Sequence, residues 1–327
     1  MAQKNVLEAV REALFEEMER DKTIVLLGED VGSRGGVFRA TEGLQARFGP
    51  ERVIDAPLAE SSIVGVSIGA AINGFTPVAE IQFADFILPA VNQLISEAAK
   101  LRYRSNGAFS CPLTVRTPYG GGVHGALYHS QSIEALFCHI PGLKVVAPST
   151  PYDAKGLLKA AIRDPDPVLF LEHKRTYRLI KGEVPAGDYV LPLGKAEVKR
   201  EGTDLCVITY GLMVHYSLEA AEALAREGVS VEVLDLRTLL PLDREAVLAA
   251  SKKTGRVLIV HEDNLTGGLG GEVAAIIAQD GFDWLDAPVM RLAGPDVPAM
   301  GYAKTLEDAY MLSPEKIAAA LRKLAAY

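Results

Sequence analysis

Short runs of β-branched and aliphatic residues alternate with helix-period segments along most of this chain, and that alternation admits few folds. A strand followed by a helix and then another strand closes most readily as a parallel sheet covered by helices. Thr23–Gly28 predicts a strand, Glu60–Asn73 a buried helix, Pro77–Phe83 a strand and Asp85–Arg104 a long helix. Leu113–Arg116 follows as a strand, then a glycine-rich loop and a helix over Ser132–His139. Leu143–Pro148, Tyr152–Arg163 and Val168–Glu172 make a strand–helix–strand unit. The pattern loosens between Lys174 and Gly202, which is rich in charge, glycine and proline and reads as a connection. It resumes with strands over Leu205–Tyr210, Val229–Leu234, Arg256–Val260 and Val289–Leu292, and helices over Met213–Arg226, Gly271–Gln279 and Ser313–Ala326. A chain of 327 residues exceeds one ordinary core. The expected class is therefore α/β, with mostly parallel sheets in two domains, residues 1–190 and 191–327.

Apolar residues at 49% and charged residues at 23% match an ordinary globular protein. A net charge of −8 argues against a nucleic-acid partner, which needs a basic face. Cys111, Cys138 and Cys206 are too irregularly spaced for a disulfide framework or a zinc motif. Residues 1–21 carry Leu7, Val10, Leu14 and Met18 on one helical stripe and lack the apolar core of a secretion signal. No apolar run reaches the roughly 18 residues of a membrane span. A cytoplasmic protein with no membrane partner is expected.

Ala56-Pro57-Leu58-Ala59-Glu60-Ser61-Ser62 runs directly into Ile63-Val64-Gly65-Val66-Ser67-Ile68-Gly69. A carboxylate opening so apolar a helix is expected to be buried, which favours its protonated form and suits an acid that hydrogen-bonds a ligand nitrogen. A first-turn glutamate complementing the helix dipole is the alternative from this segment alone. Thr117-Pro118-Tyr119-Gly120-Gly121-Gly122-Val123-His124-Gly125-Ala126-Leu127-Tyr128-His129 follows a strand, so it belongs at a sheet's carboxyl edge, where α/β folds place ligands. Its glycines permit close backbone approach, and histidine suits proton transfer near neutrality. Ile81-Gln82-Phe83-Ala84-Asp85-Phe86 offers aromatic faces for a planar ring, or simply core. His261-Glu262-Asp263-Asn264, followed by Thr266-Gly267-Gly268-Leu269-Gly270-Gly271, suits either anion binding at a helix start or tight packing. A phosphate-cradling P-loop, a complete dinucleotide fingerprint, a zinc-protease motif and a nucleophile elbow are all missing.

These pieces in this order resemble the β subunit of the E1 component of 2-oxo acid dehydrogenase complexes, thiamine-diphosphate enzymes of the transketolase-like superfamily. The resemblance runs through Gly28-Glu29-Asp30-Val31, Leu58-Ala59-Glu60-Ser61, Ile81–Phe86, Arg102-Tyr103-Arg104-Ser105, Tyr128-His129-Ser130-Gln131-Ser132, Pro141–Val146 and Asp235–Leu239. It implies a pyrimidine-binding domain followed by a transketolase C-terminal-like domain that serves assembly and docking. It also implies that Glu60 hydrogen-bonds N1′ of the cofactor's aminopyrimidine, where a shared proton favours the tautomer that activates the thiazolium carbon. Phe86 matches the aromatic packed on that ring, and Leu58 and Gln82 match its neighbours. His129 matches a histidine serving proton transfer when the acyl group passes to lipoamide. A structural potassium site of the family falls here on Leu113, Thr114, Ala161, Asp164 and Asp166, with Asp166 standing where relatives often carry asparagine.

The resemblance implies partners as well: an E1 α subunit in an α₂β₂ heterotetramer, and the lipoyl and subunit-binding domains of an E2 acyltransferase. The superfamily's magnesium motif, which begins Gly-Asp-Gly, does not occur here, and the nearest fragment is Gly187-Asp188-Tyr189. Magnesium and the diphosphate are thus expected on the α subunit. The loop His124–Ser132 looks more like branched-chain 2-oxo acid dehydrogenases than pyruvate enzymes, although many pyruvate enzymes share Thr117-Pro118 and the triple glycine. The expected reaction is oxidative decarboxylation of branched-chain 2-oxo acids with acylation of E2 lipoyl groups. The alternatives are a pyruvate or acetoin enzyme and, more remotely, a non-catalytic assembly protein with this fold.

Overall fold

The computed structural model describes residues 1–327. They form two compact units, residues 1–119 with 136–193, and residues 120–135 with 194–327. The glycine-rich loop, which the sequence reading left within residues 1–190, thus belongs with the second unit.

The first unit opens with β1 (Ala2–Asn5) and α1 (Val6–Arg20), whose start is closed by a capping box between Asn5 and Glu8. Then come β2 (Ile24–Gly28), α2 (Leu44–Phe48), β3 (Val53–Asp55), α3 (Glu60–Ile72), β4 (Thr76–Glu80), α4 (Leu101–Arg104), β5 (Thr114–Tyr119), α5 (Glu134–Cys138, its first two residues counted with the second unit), β6 (Lys144–Val146), α6 (Pro151–Ile162), β7 (Val168–His173), α7 (Thr176–Leu179) and β8 (Lys181–Val184). Six strands lie parallel in the order β6-β7-β5-β4-β2-β3, and β1 pairs antiparallel with β8 apart from them. The predicted stripe of Leu7, Val10, Leu14 and Met18 faces a core that includes Leu157, Leu158 and Phe170.

Two expectations need correction. The long helix predicted over Asp85–Arg104 is a succession of 3₁₀ turns, a π turn over Gln93–Glu97 and the short α4. Pro89 removes a backbone donor at its start, which helps explain why a regular ladder fails there. Helix α3, apolar on all sides and expected to be buried, leaves one face open in this chain: Val66 is 61% exposed, and Gly69 and Ile72 share that side.

A charged cluster lies inside the parallel sheet. Arg116 on β5 donates through Nε and Nη2 to the two carboxylate oxygens of Glu172 on β7, at 2.7 and 2.8 Å. Its Nη1 donates to Glu80 on β4 at 2.7 Å, and Tyr177 O–H donates to Glu172 at 2.5 Å. Burial raises the Glu80 carboxyl, against the lowering effect of Arg116. Removing one partner from such a set strands buried charge, at a cost of about 3–5 kcal/mol. Arg116→Met is expected to lose stability of that order in urea unfolding of the full chain; a loss below about 1 kcal/mol would show the cluster to be dispensable.

The second unit holds β9 (Glu197–Arg200), β10 (Leu205–Thr209), α8 (Leu212–Ala225), β11 (Val231–Asp235), β12 (Thr238–Leu240), α9 (Arg244–Thr254), β13 (Val257–Asn264), α10 (Leu269–Asp280), β14 (Met290–Gly294), α11 (Lys304–Tyr310) and α12 (Pro314–Ala325). Its sheet runs β14-β13-β10-β11-β9, with β9 alone antiparallel. Helices α9 and α11 were not anticipated. Asp243 caps α9 by accepting from Ala246 N–H, a capping signal visible in the sequence. No helix of the structure is long and apolar enough to cross a membrane.

Candidate active site

Glu60, Leu58, Gln82 and Phe86 all fall in the first unit, just beyond the carboxyl ends of β3 and β4, the strands on either side of β2. This is the edge at which open α/β sheets bind ligands. Glu60 occupies the first turn of α3 and is half-buried in this chain, where the sequence had led us to expect a buried carboxylate. Leu58 is 79% exposed in this chain. Phe86 ends a 3₁₀ turn and meets Phe83 edge-on, with ring centroids 5.8 Å apart; Phe83 in turn meets Phe38 at 5.4 Å.

The residue that sequence reasoning passed over is Glu29. It directly follows β2, the strand between β3 and β4, and so opens onto the same edge. Burial raises its carboxyl above the ordinary range, and the nearby charges of Glu60 and Asp30 raise it further. Its Oε1 is buried without a hydrogen-bond partner. A buried acceptor left unsatisfied costs about 1–3 kcal/mol, so an outside donor is what this atom is suited to meet. The available signal was its position after the strand in Gly28-Glu29-Asp30-Val31. Carboxyl groups at this edge can meet the ring nitrogen and amino groups of a planar heterocycle.

His129 lies in the second unit, half-buried, on a loop that closes through Gly120 N–H donating to Gln131 C=O at 3.0 Å. The loop turns through left-handed backbone at Gly120, Gly122, His124 and Ala126, with φ of 83°, 79°, 56° and 54°. A Cβ on Gly125 would stand 2.6 Å from the His129 carbonyl oxygen, so that glycine is required by a close approach.

The glycine cluster after His261 packs rather than binds. Added Cβ atoms on Gly268 and Gly270 would each lie 2.6 Å from the His261 ring, so these glycines make room for it. Burial lowers the His261 pKa to about 4, leaving it neutral near pH 7 and unable to attract an anion.

The residues of the potassium expectation gather at the opposite, amino-terminal edge of the first sheet. Leu113 C=O accepts from Val168 N–H at 2.9 Å, and Asp164 N–H donates to Ala161 C=O at 3.2 Å. Thr114 begins β5, and Asp166 N–H donates to Asp164 Oδ1 at 2.9 Å. Both carboxylates already meet protein cations: Lys144 Nζ at 2.6 Å from Asp164, and Arg102 Nε at 2.6 Å from Asp166.

Comparison with known proteins agrees with this two-part reading. The transketolase pyrimidine-binding domain matches residues 2–180 and the transketolase C-terminal domain residues 194–317. The β subunit of 2-oxoisovalerate dehydrogenase from Bacillus subtilis (strain 168) is 64% identical over 327 residues, covering 100% of both chains. The pyruvate dehydrogenase E1 component β subunit of the same organism is 52% identical over 296 residues, 90% of this chain and 91% of that one. Among solved structures, a split-gene transketolase described as an inactive β4 tetramer matches with a TM-score of 0.79 at 26% identity, covering 99% of this chain and 98% of that one. The chain belongs to the β-subunit family of 2-oxo acid dehydrogenase E1 components.

Proposed function

We propose that this chain is the β half of a thiamine-diphosphate-dependent E1 component that decarboxylates branched-chain 2-oxo acids and acylates the lipoyl group of an E2 acyltransferase. The observation that carries the cofactor reading is that Glu29 and Glu60 follow strand ends at the same carboxyl edge of the sheet within electrostatic reach of each other, with a buried, unsatisfied oxygen on Glu29 and an exposed Leu58 two residues before Glu60. Thiamine diphosphate, when bound, supplies the electron sink that makes decarboxylation of a 2-oxo acid feasible. Glu60 would hold a proton at the pyrimidine N1′, Phe86 would lie against the ring, and Leu58 and Gln82 would border it. His129 would manage the proton during acyl transfer. The branched-chain preference rests on the loop His124–Ser132 and on 64% identity to a 2-oxoisovalerate enzyme, against 52% to a pyruvate enzyme. Turnover of 3-methyl-2-oxobutanoate against pyruvate by the enzyme reconstituted with its α subunit tests it, and a preference for pyruvate would reverse the assignment.

An α subunit is required by the same reasoning. The chain lacks the Gly-Asp-Gly magnesium motif, and the open apolar side of α3 offers Val66, Gly69 and Ile72 for close helix contact. An α₂β₂ assembly follows, with the diphosphate and magnesium on α and the pyrimidine on this chain. Calorimetry with thiamine diphosphate and magnesium should detect no tight binding by this chain alone and tight binding once α is added. Tight binding by the isolated chain would overturn the half-site model.

For potassium, the carbonyls of Leu113 and Ala161 and the hydroxyl of Thr114 remain the better ligands, because Asp164 and Asp166 are already engaged by Lys144 and Arg102. A carbonyl oxygen that accepts one hydrogen bond keeps a second lone pair. A cation bound only to the folded state at about 100 times its Kd adds about 2.7 kcal/mol. Thermal unfolding is thus expected several degrees higher in potassium chloride than in choline chloride of equal ionic strength. Coincident melting curves would remove the site.

A further inference from the structure

The loop that carries His124 and His129 is held by carboxylates of its own unit. Glu262, near the end of β13, accepts from Gly121 N–H at 2.5 Å. Glu307 on α11 accepts through Oε1 from Gly122 N–H at 3.1 Å and from His124 N–H at 2.9 Å, while its Oε2 lies 2.8 Å from His124 Nδ1. At the loop's far end, Asp263 Oδ2 accepts from Ala135 N–H at 3.3 Å. A Cβ on Gly121 would stand 2.3 Å from Met300 Cε and 3.0 Å from the Met311 sulfur, so contact with these side chains backs the polar grip.

Glu307 is only 3% exposed. A carboxylate so far from water persists where donors satisfy it, and here one turn of the loop supplies them. Gly122 and His124, both left-handed, aim their N–H groups into one concavity, the arrangement that receives anions in other proteins. The left-handed form disfavours residues with a Cβ, so His124 and Ala126 hold it only while their surroundings enforce it.

We propose that Glu307 and Glu262 are positioning residues for the reaction: their carboxylates lock the glycine-rich loop in its strained form and so fix His129 before substrate arrives. A pre-set loop matters because small misplacement of a reacting group costs large factors in rate. The transketolase C-terminal domain then acts as a clamp on a catalytic loop, in addition to any docking role. The inference rests on the proposed role of His129 in acyl transfer, and the experiment separates the two.

Hydrogen exchange is measured on the full chain for peptides spanning residues 120–131, in wild type, Glu307→Ala and Glu307→Gln. Lipoyl acylation and dye-linked decarboxylation are assayed on the same proteins reconstituted with α subunit. Glu307→Ala is expected to speed exchange of the loop amides about tenfold or more while β10 and β13 stay at wild-type rates. Acylation should fall roughly tenfold to a hundredfold, and decarboxylation by less than about threefold. Glu307→Gln keeps a carbonyl acceptor for the loop N–H groups and should be intermediate in both respects. Unchanged loop exchange in Glu307→Ala overturns the proposal, as does faster exchange spread evenly over the whole unit. Faster loop exchange with both half-reactions intact upholds the clamp and removes the assignment of His129 instead.

Discussion

Glu60→Gln is expected to lower turnover of the reconstituted enzyme by about 10² to 10⁴, the usual contribution of a positioned acid or base. Glutamine keeps the size and a hydrogen-bond acceptor but has no carboxyl proton to share with a ring nitrogen. The setting of the residue strengthens the expectation. Glu60 stands in the first turn of α3 with Glu29 close by, and the Glu29 carboxyl is raised by burial and then by the charge of Glu60. The loss should appear in decarboxylation with an artificial electron acceptor, before any lipoyl group is involved. Cofactor affinity and the thermal midpoint should stay near wild type, which separates a chemical defect from a folding one. Near-wild-type decarboxylation by Glu60→Gln would sink the assignment.

His129→Ala should divide the two half-reactions. A histidine that handles the proton of acyl transfer leaves decarboxylation largely alone, so lipoyl acylation should drop by about 10² to 10⁴ and the dye-linked rate by far less. The loop geometry makes the comparison clean, because alanine keeps the backbone that closes over Gly125 and removes only the ring. Equal losses in both assays would point to substrate binding or loop order and would end the specific claim about acyl transfer.

Most of the fold was legible in the chain because it rests on local periodicity. Apolar residues run together through Ile24–Leu27, Pro77–Ala79 and Val168–Leu171, as suits parallel strands covered on both faces. The helices read over Tyr152–Arg163 and Ser313–Ala326 fall within a residue of α6 and α12, whereas the helical reading of residues 1–21 overran the start of α1, because Ala2–Asn5 pairs as β1. Reading failed where tertiary contact overrides propensity. Asp85–Arg104 has helical composition yet settles into 3₁₀ and π turns. Helix α3 looks buried on every side, yet one side is open in the single chain, since hydrophobicity records that a face needs cover and not which molecule covers it.

The candidate site divides the same way. The segments around Glu60 and Phe86 stood out by composition, and the roles expected of Glu60, Leu58, Gln82 and Phe86 came from the family resemblance. What the sequence by itself determined is the alternation that makes a parallel sheet and, through it, the edge at which those motifs must fall. Only the tertiary structure decided that Glu29 opens onto the same sheet edge as Glu60, that Gly268 and Gly270 make room for a neutral histidine, and that Glu307 grips a loop far from it in the chain. Local pattern encodes the period and hydropathy of one element, whereas a hydrogen bond between residues 183 positions apart depends on where two elements end in space.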